Sequence, residues 1–403
     1  MSVYLDHAAT TPMIGPAVAA FQQEISYSGN ASSLHASGRR TRRVVEQARD
    51  GIAAAAGAHP SEVIFLSGGT EADNLAVKGL FWSRRAADPR RKRILVSAVE
   101  HPAVAETVEW LAAHEGAEPV WLPVRADGRL DLDAYRDVLE NDPGSVALVT
   151  VMWANNVMGT LQPIPEVVAM AADHGVPVHS DAVQAFGAVP VDFAASGLAA
   201  MSVSAHKLGG PVGIGALLLG REMAPVPMSH GGGHERGLRS GTLPAASIAS
   251  FAAAVQEVVS GLPEESARLS ALRDRLIRGV RDVIPEAKLS GNETHRLPGN
   301  VHFTFPGCEG DSLLFLLDTM GIEASTGSAC TAGVPRTSSV LLAMGLSEEE
   351  ARGAQRFTLG HSSTESDVDA LLKALPAAYQ QAGHAGMAGH ISSIETAGTA
   401  GKS

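Results

Sequence analysis

Thiols are scarce in this chain: its 403 residues include two cysteines, Cys308 and Cys330. Two thiols make no disulfide framework, and alone they are too few for a zinc or iron–sulfur site. Either one matters only as a reactive group, and a reducing compartment is assumed. Positive charge is also short, with 31 Lys and Arg against 43 Asp and Glu, a formal net charge of −12. That balance argues against a nucleic-acid partner held by phosphate neutralisation. The arginines between 84 and 93 are a local exception and read as a solvated helix end and turn. No apolar run has the length that a bilayer span needs, so no membrane partner is expected. The first residues lack the basic start and long apolar middle of a signal peptide, and the expected location is the cytoplasm.

What the chain does have is an ordinary enzyme's composition, 45% hydrophobic and 18% charged. Its length is too great for one small core, so two domains are expected. Short apolar runs at 63–66, 94–97, 120–122, 147–151, 176–179, 201–204 and 215–219 alternate with helical patterns at 44–56, 103–115, 132–140 and 164–174. Strict alternation of this kind predicts an α/β fold with a mostly parallel sheet covered on both faces. In such sheets ligands gather beyond the carboxyl ends of the strands. Leu269, Leu272, Leu276, Val280 and Val283 then give one apolar helix face, which opens a smaller α+β domain. Its strands are expected at 301–305, 322–325 and 357–359 and its helices at 311–320 and 367–375. The division predicted is 16–260 for the large domain and 1–15 with 261–382 for the small one. A tail from 383 to 403, rich in Gly, Ala, Ser and Thr, is expected to be disordered.

The polar motifs fall just after strand ends. Lys207 closes Ser204-Ala205-His206-Lys207 and precedes Leu208-Gly209-Gly210. An amine there, beside hydroxyls and an imidazole, is placed to condense with an aldehyde cofactor. Asp181 ends another apolar run, and a lysine with an acidic partner for a pyridinium nitrogen is what pyridoxal phosphate requires. Ser67-Gly68-Gly69-Thr70 follows a strand and opens a helix, so its backbone N–H groups and the helix N-terminus can cradle a phosphate. An ordinary capped turn explains that loop equally well. His230-Gly231-Gly232-Gly233-His234-Glu235 invites a metal, but three glycines make a poor platform for ligands. A loop carrying Thr242 to a phosphate is the better reading. Cys330 sits in Gly327-Ser328-Ala329-Cys330-Thr331, outside any apolar periodic run, which suits an exposed, reactive thiol. Cys308, beside Glu309, reads as inert.

Together these motifs resemble the cysteine desulfurases of the iron–sulfur-assembly (IscS/NifS-like) type, in the class V aminotransferase group of fold-type I pyridoxal phosphate enzymes. The resemblance runs from Tyr4-Leu5-Asp6-His7-Ala8-Ala9-Thr10 through the 367–375 helix, taking in Glu100-His101, Asn155-Asn156 and Arg356-Phe357-Thr358-Leu359-Gly360. Residues 153–156 and 307–311 look most like actinobacterial members. The resemblance implies a seven-stranded large domain, a homodimer and release of sulfur from L-cysteine to an acceptor protein, a scaffold or sulfurtransferase. It also implies roles. Lys207 holds the cofactor and moves the Cα proton, Asp181 faces the pyridine nitrogen, Gln184 its phenolic oxygen, and His101 stacks on the ring. Gly69, Thr70, Ser204 and His206 hold the phosphate, with Thr242 arriving from a second subunit. Asn156 and Arg356 bind the substrate carboxylate, and Cys330 is the nucleophile. Four positions depart from the family's habit, one of them Ala31, which follows Asn30 where a proline is common. Val157 replaces a glutamate, which would remove a charge near the cofactor. Ala205 replaces a glycine, tolerable if its φ is negative, and Val183 replaces a threonine. A selenocysteine lyase, a plain aminotransferase and a non-catalytic scaffold are the competing readings.

Overall fold

A computed structural model describes residues 2–327 and 337–399, with 384–399 as backbone alone. A two-residue strand, β1 (Val3–Tyr4), comes first. The central sheet follows: β2 (Val63–Leu66), β3 (Arg93–Ser97), β4 (Glu118–Leu122), β5 (Val146–Thr150), β6 (Val178–Asp181), β7 (Ala200–Ser204) and β8 (Gly215–Leu219). These seven lie in the order β2-β8-β7-β6-β5-β3-β4. The strands β4, β3, β5, β6 and β7 run parallel, while β8 is antiparallel to both β7 and β2. The sheet is therefore mostly parallel, as the alternation predicts.

Its strands are apolar on both faces because helices cover both. Ile94 and Val96 point to one side, under Phe81, Val104 and Val108 of helices Gly69–Ala87 and Pro102–Glu115. Leu95 points to the other, toward a core that includes Val45, Val167 and Phe251 of helices Ala36–Ala55, Ile164–Ala172 and Ala245–Ser260. A separate core gathers Leu269, Leu276 and Val280 of the helix Leu262–Val283 with Phe303, Phe357 and Leu371. Around it lie β9 (Lys288–Leu289), β10 (Asn300–Thr304) and β12 (Ala354–Thr358) as an antiparallel sheet. A short β11 (Ile322–Glu323) pairs with β1, which brings Leu5 into this second core. Among the described residues no single helix is long and apolar enough to cross a membrane.

Several boundaries differ from the sequence expectation, for identifiable reasons. Strand β6 is not 176–179 but ends two residues later, because Ser180 and Asp181 are buried polar residues that no apolar pattern would include. Strand β12 likewise starts at Ala354 rather than 357, taking in the buried Gln355 and Arg356. The helix Ala36–Ala55 begins eight residues before 44. His35 caps it by accepting from Gly38 N–H, and its arginine-rich first turns carry little apolar period. The last helix, Glu365–Thr399, runs through most of the tail expected to be disordered. Alanine recurs along that stretch, and its helix propensity outweighs the intervening glycines.

Candidate active site

Ten of the twelve residues singled out from the sequence line one cleft of about 390 Å³: Gly69, Thr70, His101, Asn156, Asp181, Gln184, Ser204, His206, Lys207 and Arg356. Thr242 is exposed and does not line it. Cys330 lies outside the described residues, although Ser325 and Gly327, just before it, are in the cleft wall. The cleft opens beyond the carboxyl ends of β3, β5, β6 and β7, where a parallel sheet leaves room for a ligand.

Lys207 ends a short 3-10 turn, Ala205–Lys207, that directly continues β7. Its Nζ donates to the carbonyl oxygens of Ala8 (2.6 Å) and Ala9 (2.7 Å). Burial, with the Arg356 charge second, lowers its pKa from 10.5 to about 8. Such an amine is neutral often enough near physiological pH to act as nucleophile and base. Among the described residues Glu235 and Arg236 are the non-glycines with positive φ, so Ala205 sits in the turn without strain.

Asp181 accepts from the Val183 N–H (2.9 Å) through one carboxylate oxygen. Burial raises its pKa, while His101 and Lys207 pull it back toward the ionised form. His101 caps the helix Pro102–Glu115, its Nδ1 accepting from Ala103 N–H (3.1 Å). That bond fixes the tautomer, and burial lowers the pKa, so the ring presented to the cleft is neutral. At the other end, Gly68 has φ +157° and caps the helix Gly69–Ala87 without a side-chain bond. The first-turn N–H groups are thus uncapped beside Ser204, whose Oγ lies 3.8 Å from where a Gly68 Cβ would stand. His206 touches Thr10 Oγ1 (3.2 Å), and burial lowers its pKa to about 4. Gln184 donates to the Ala8 carbonyl (2.9 Å).

Asn155 and Asn156 divide their work. Asn155 is buried, donates to Val99 O and accepts from Val157 N–H and Met158 N–H, so it shapes the loop. Asn156 faces the cleft, and its carbonyl accepts from Arg356 Nη1 (2.9 Å). Arg356 Nη2 donates to Asp6 (2.7 Å).

The structure corrects two expectations. Val157 does not face the cofactor side. It is 3% exposed, packed with Met152, Met158, Val340 and Leu341, and close beneath Gly327. The residue supports the segment that leads to Cys330 rather than the cleft's charge balance. Cys308 is inert, but chiefly through burial, with Glu309 second; together they push its thiol up to about 12. Glu235 is unavailable to a metal because it forms a buried two-point pair with Arg49 and accepts from Phe65 N–H. No metal-binding cluster exists among the described residues.

Two buried carboxylates escaped the sequence reading of the site. Asp73 lines the cleft at 1% exposure, one helical turn after Gly69, and Glu100 sits directly before His101. Burial, reinforced by Asp181, raises both pKa values well above the ordinary range. Their signal was present as motif membership, but only the fold shows that three carboxylates crowd one site.

A lysine of lowered pKa, a buried aspartate and an uncapped helix N-terminus in one cleft of this fold define a pyridoxal phosphate enzyme of fold-type I. Gly68 leaves open the cradle that a Cβ would fill, so the residues fit the cofactor's phosphate at one end and its ring nitrogen at the other. Residues 3–371 match the aminotransferase class-V family, and the chain belongs to it, among the IscS/NifS-like cysteine desulfurases. It is 56% identical over 386 residues to an IscS-like cysteine desulfurase of Mycobacterium tuberculosis, covering 96% of this chain and 98% of the relative. It is 40% identical to the cysteine desulfurase NifS of Azotobacter vinelandii, over 93% and 92% of the two chains. A solved NifS-like protein superposes with a TM-score of 0.86 at 32% identity, covering 94% of this chain and 99% of its own.

Proposed function

We propose that the protein removes sulfur from L-cysteine, giving L-alanine and a persulfide on Cys330 that passes to an acceptor protein. The observation that carries this reading is the convergence of Lys207, Asp181 and Arg356 on one cleft, with Ser325 and Gly327 in its wall. Arg356, with Asn156 beside it, is suited to bind the substrate's α-carboxylate through paired N–H groups. That leaves the substrate's Cα toward Lys207. Asp181 holds a negative charge at the ring-nitrogen end, His101 offers a neutral face for stacking, and Gly69, Thr70, Ser204 and His206 hold the phosphate. Burial and the neighbouring Asp181 charge raise the pKa values of Asp73 and Glu100, which favours their neutral forms and limits the negative charge crowded into the site.

Pyridoxal phosphate, when bound, supplies the electron sink that makes the substrate's Cα acidic and its sulfur electrophilic. Lys207 Nζ takes the Cα proton. The Cys330 thiolate then attacks the substrate sulfur. An S–S bond forms as the C–S bond breaks, and that electron pair passes to the substrate carbon, which is later protonated to give alanine. Gly327 is in the cleft wall and Cys330 follows it by three residues, a reach of about 11 Å at most for extended chain. A thiol with this task needs a reducing compartment, which supports a cytoplasmic setting.

The variant that tests this is Cys330→Ser. It is expected to keep the bound-cofactor absorbance and to release no sulfide from L-cysteine with reductant. Sulfide release at the unaltered rate would refute the persulfide route.

A further inference from the structure

The opening segment of the chain reaches the substrate-binding arginine. After β1, Leu5 N–H donates to Glu323 O (2.8 Å) and Leu5 O accepts from Thr358 N–H (2.7 Å). Asp6 continues this pairing with a parallel bridge to Thr358. That register sets its side chain against Arg356, two residues before Thr358 on β12 and hence on the same face of the strand. Asp6 Oδ1 accepts from Arg356 Nη2 at 2.7 Å. It is the one carboxylate paired with Arg356 among the described residues. Nη1 is tied to the Asn156 carbonyl, and Nε is buried without a hydrogen bond. The Arg356 side chain is 6% exposed and that of Asp6 22%. Two tethers from two different segments therefore set the plane of a guanidinium at the wall of the cleft.

We infer that Asp6 is a positioning residue for the substrate: it fixes the plane in which Arg356 offers its remaining N–H groups to the amino acid's carboxylate. The inference rests on reading Arg356 as that carboxylate's anchor. Asp6 itself does not touch the substrate. With one tether lost, the guanidinium can pivot about its bond to Asn156, and paired recognition of a carboxylate degrades, since it depends on a fixed fork. The α-carboxylate is held equally before and during the reaction, so the effect falls on binding.

The test measures KM and kcat for L-cysteine in the holoenzyme. It also measures the dissociation constant of L-alanine, read from the change in bound-cofactor absorbance. Asp6→Ala is expected to raise KM and the alanine constant by about tenfold, the scale of one hydrogen bond to a charged group, with kcat within about twofold. Asp6→Asn keeps an acceptor oxygen in the same place and is expected to stay within about threefold of the unaltered enzyme. If Asp6→Ala does not fold, Asp6→Ser, too short to reach Nη2 yet polar, replaces it under the same criterion. Unchanged constants in the shortened variant, or a rise that Asp6→Asn fails to recover, would overturn the inference. Arg356→Ala separates the two ideas. If it leaves KM unchanged the anchor assignment fails, whereas a raised KM there with a normal Asp6→Ala defeats only the role of Asp6.

Discussion

The charges on individual buried groups make the clearest quantitative predictions. Lys207 must be unprotonated to capture an aldehyde, and its pKa is lowered to about 8. The rate at which cofactor-free protein gains the bound-cofactor band should therefore rise with pH and level off above about 8. A rate still climbing steeply between pH 9 and 10 would show an ordinary exposed lysine. His179 and His302 are each pushed down to about 3 by burial, against 6.5 in an unfolded chain. Unfolding takes up their protons between these values, so their contribution to stability is complete above about pH 6.5 and is lost as pH falls toward 3. Asp73 and Glu100 act in the opposite sense, since raised carboxyl pKa values favour the fold at low pH and cost stability as pH rises. Urea unfolding of His302→Gln should accordingly show a smaller drop between pH 7 and pH 5 than the unaltered protein, and an equal drop would contradict the assignment.

At the scale of elements, the site is built from strand ends and the turns that follow them. Gly68 is the sharpest case, because its φ of +157° is open to glycine and strained for other residues. Gly68→Ala should weaken cofactor binding by about tenfold or more, through backbone strain and a methyl placed in the phosphate cradle. Titration of the cofactor-free variant with pyridoxal phosphate would check it, and unaltered affinity would contradict the cradle. The same elements explain how much was legible beforehand. Apolar runs reveal β3, β5, β7 and β8 because their residues face helices on both sides. Where a strand end carries chemistry the pattern breaks, as at Ser180-Asp181 and Gln355-Arg356, and the predicted boundaries slip there. Motif order pointed to ten cleft residues. It could not show that Val157 turns into an apolar cluster, since which face of a loop a residue takes depends on packing with Val340 and Leu341, far along the chain.

At the scale of the whole molecule, the segment that follows β1 links the smaller core to the turn that carries Lys207. Leu5 packs in the smaller core while Ala8 and Ala9 receive the Lys207 amine from the larger one. Thr242 stands outside its own cleft, exposed at the end of a loop that Glu235 anchors through Arg49. We propose that Thr242 instead reaches the phosphate end of a second copy's cleft, in a homodimer. Mixing Lys207→Ala with Thr242→Ala subunits should restore one intact site per mixed dimer, with activity above that of either parent. No gain on mixing would contradict a site shared between two copies.

The sulfur's first stop is the most direct test of the proposed route. Mass spectrometry of the Cys330 peptide, taken after one brief exposure of the holoenzyme to L-cysteine without reductant, reads that stop. The predicted result is a single added sulfur atom on Cys330, with alanine formed in equal amount and Cys308 unmodified. Alanine formed with Cys330 unmodified in every sample would contradict the account.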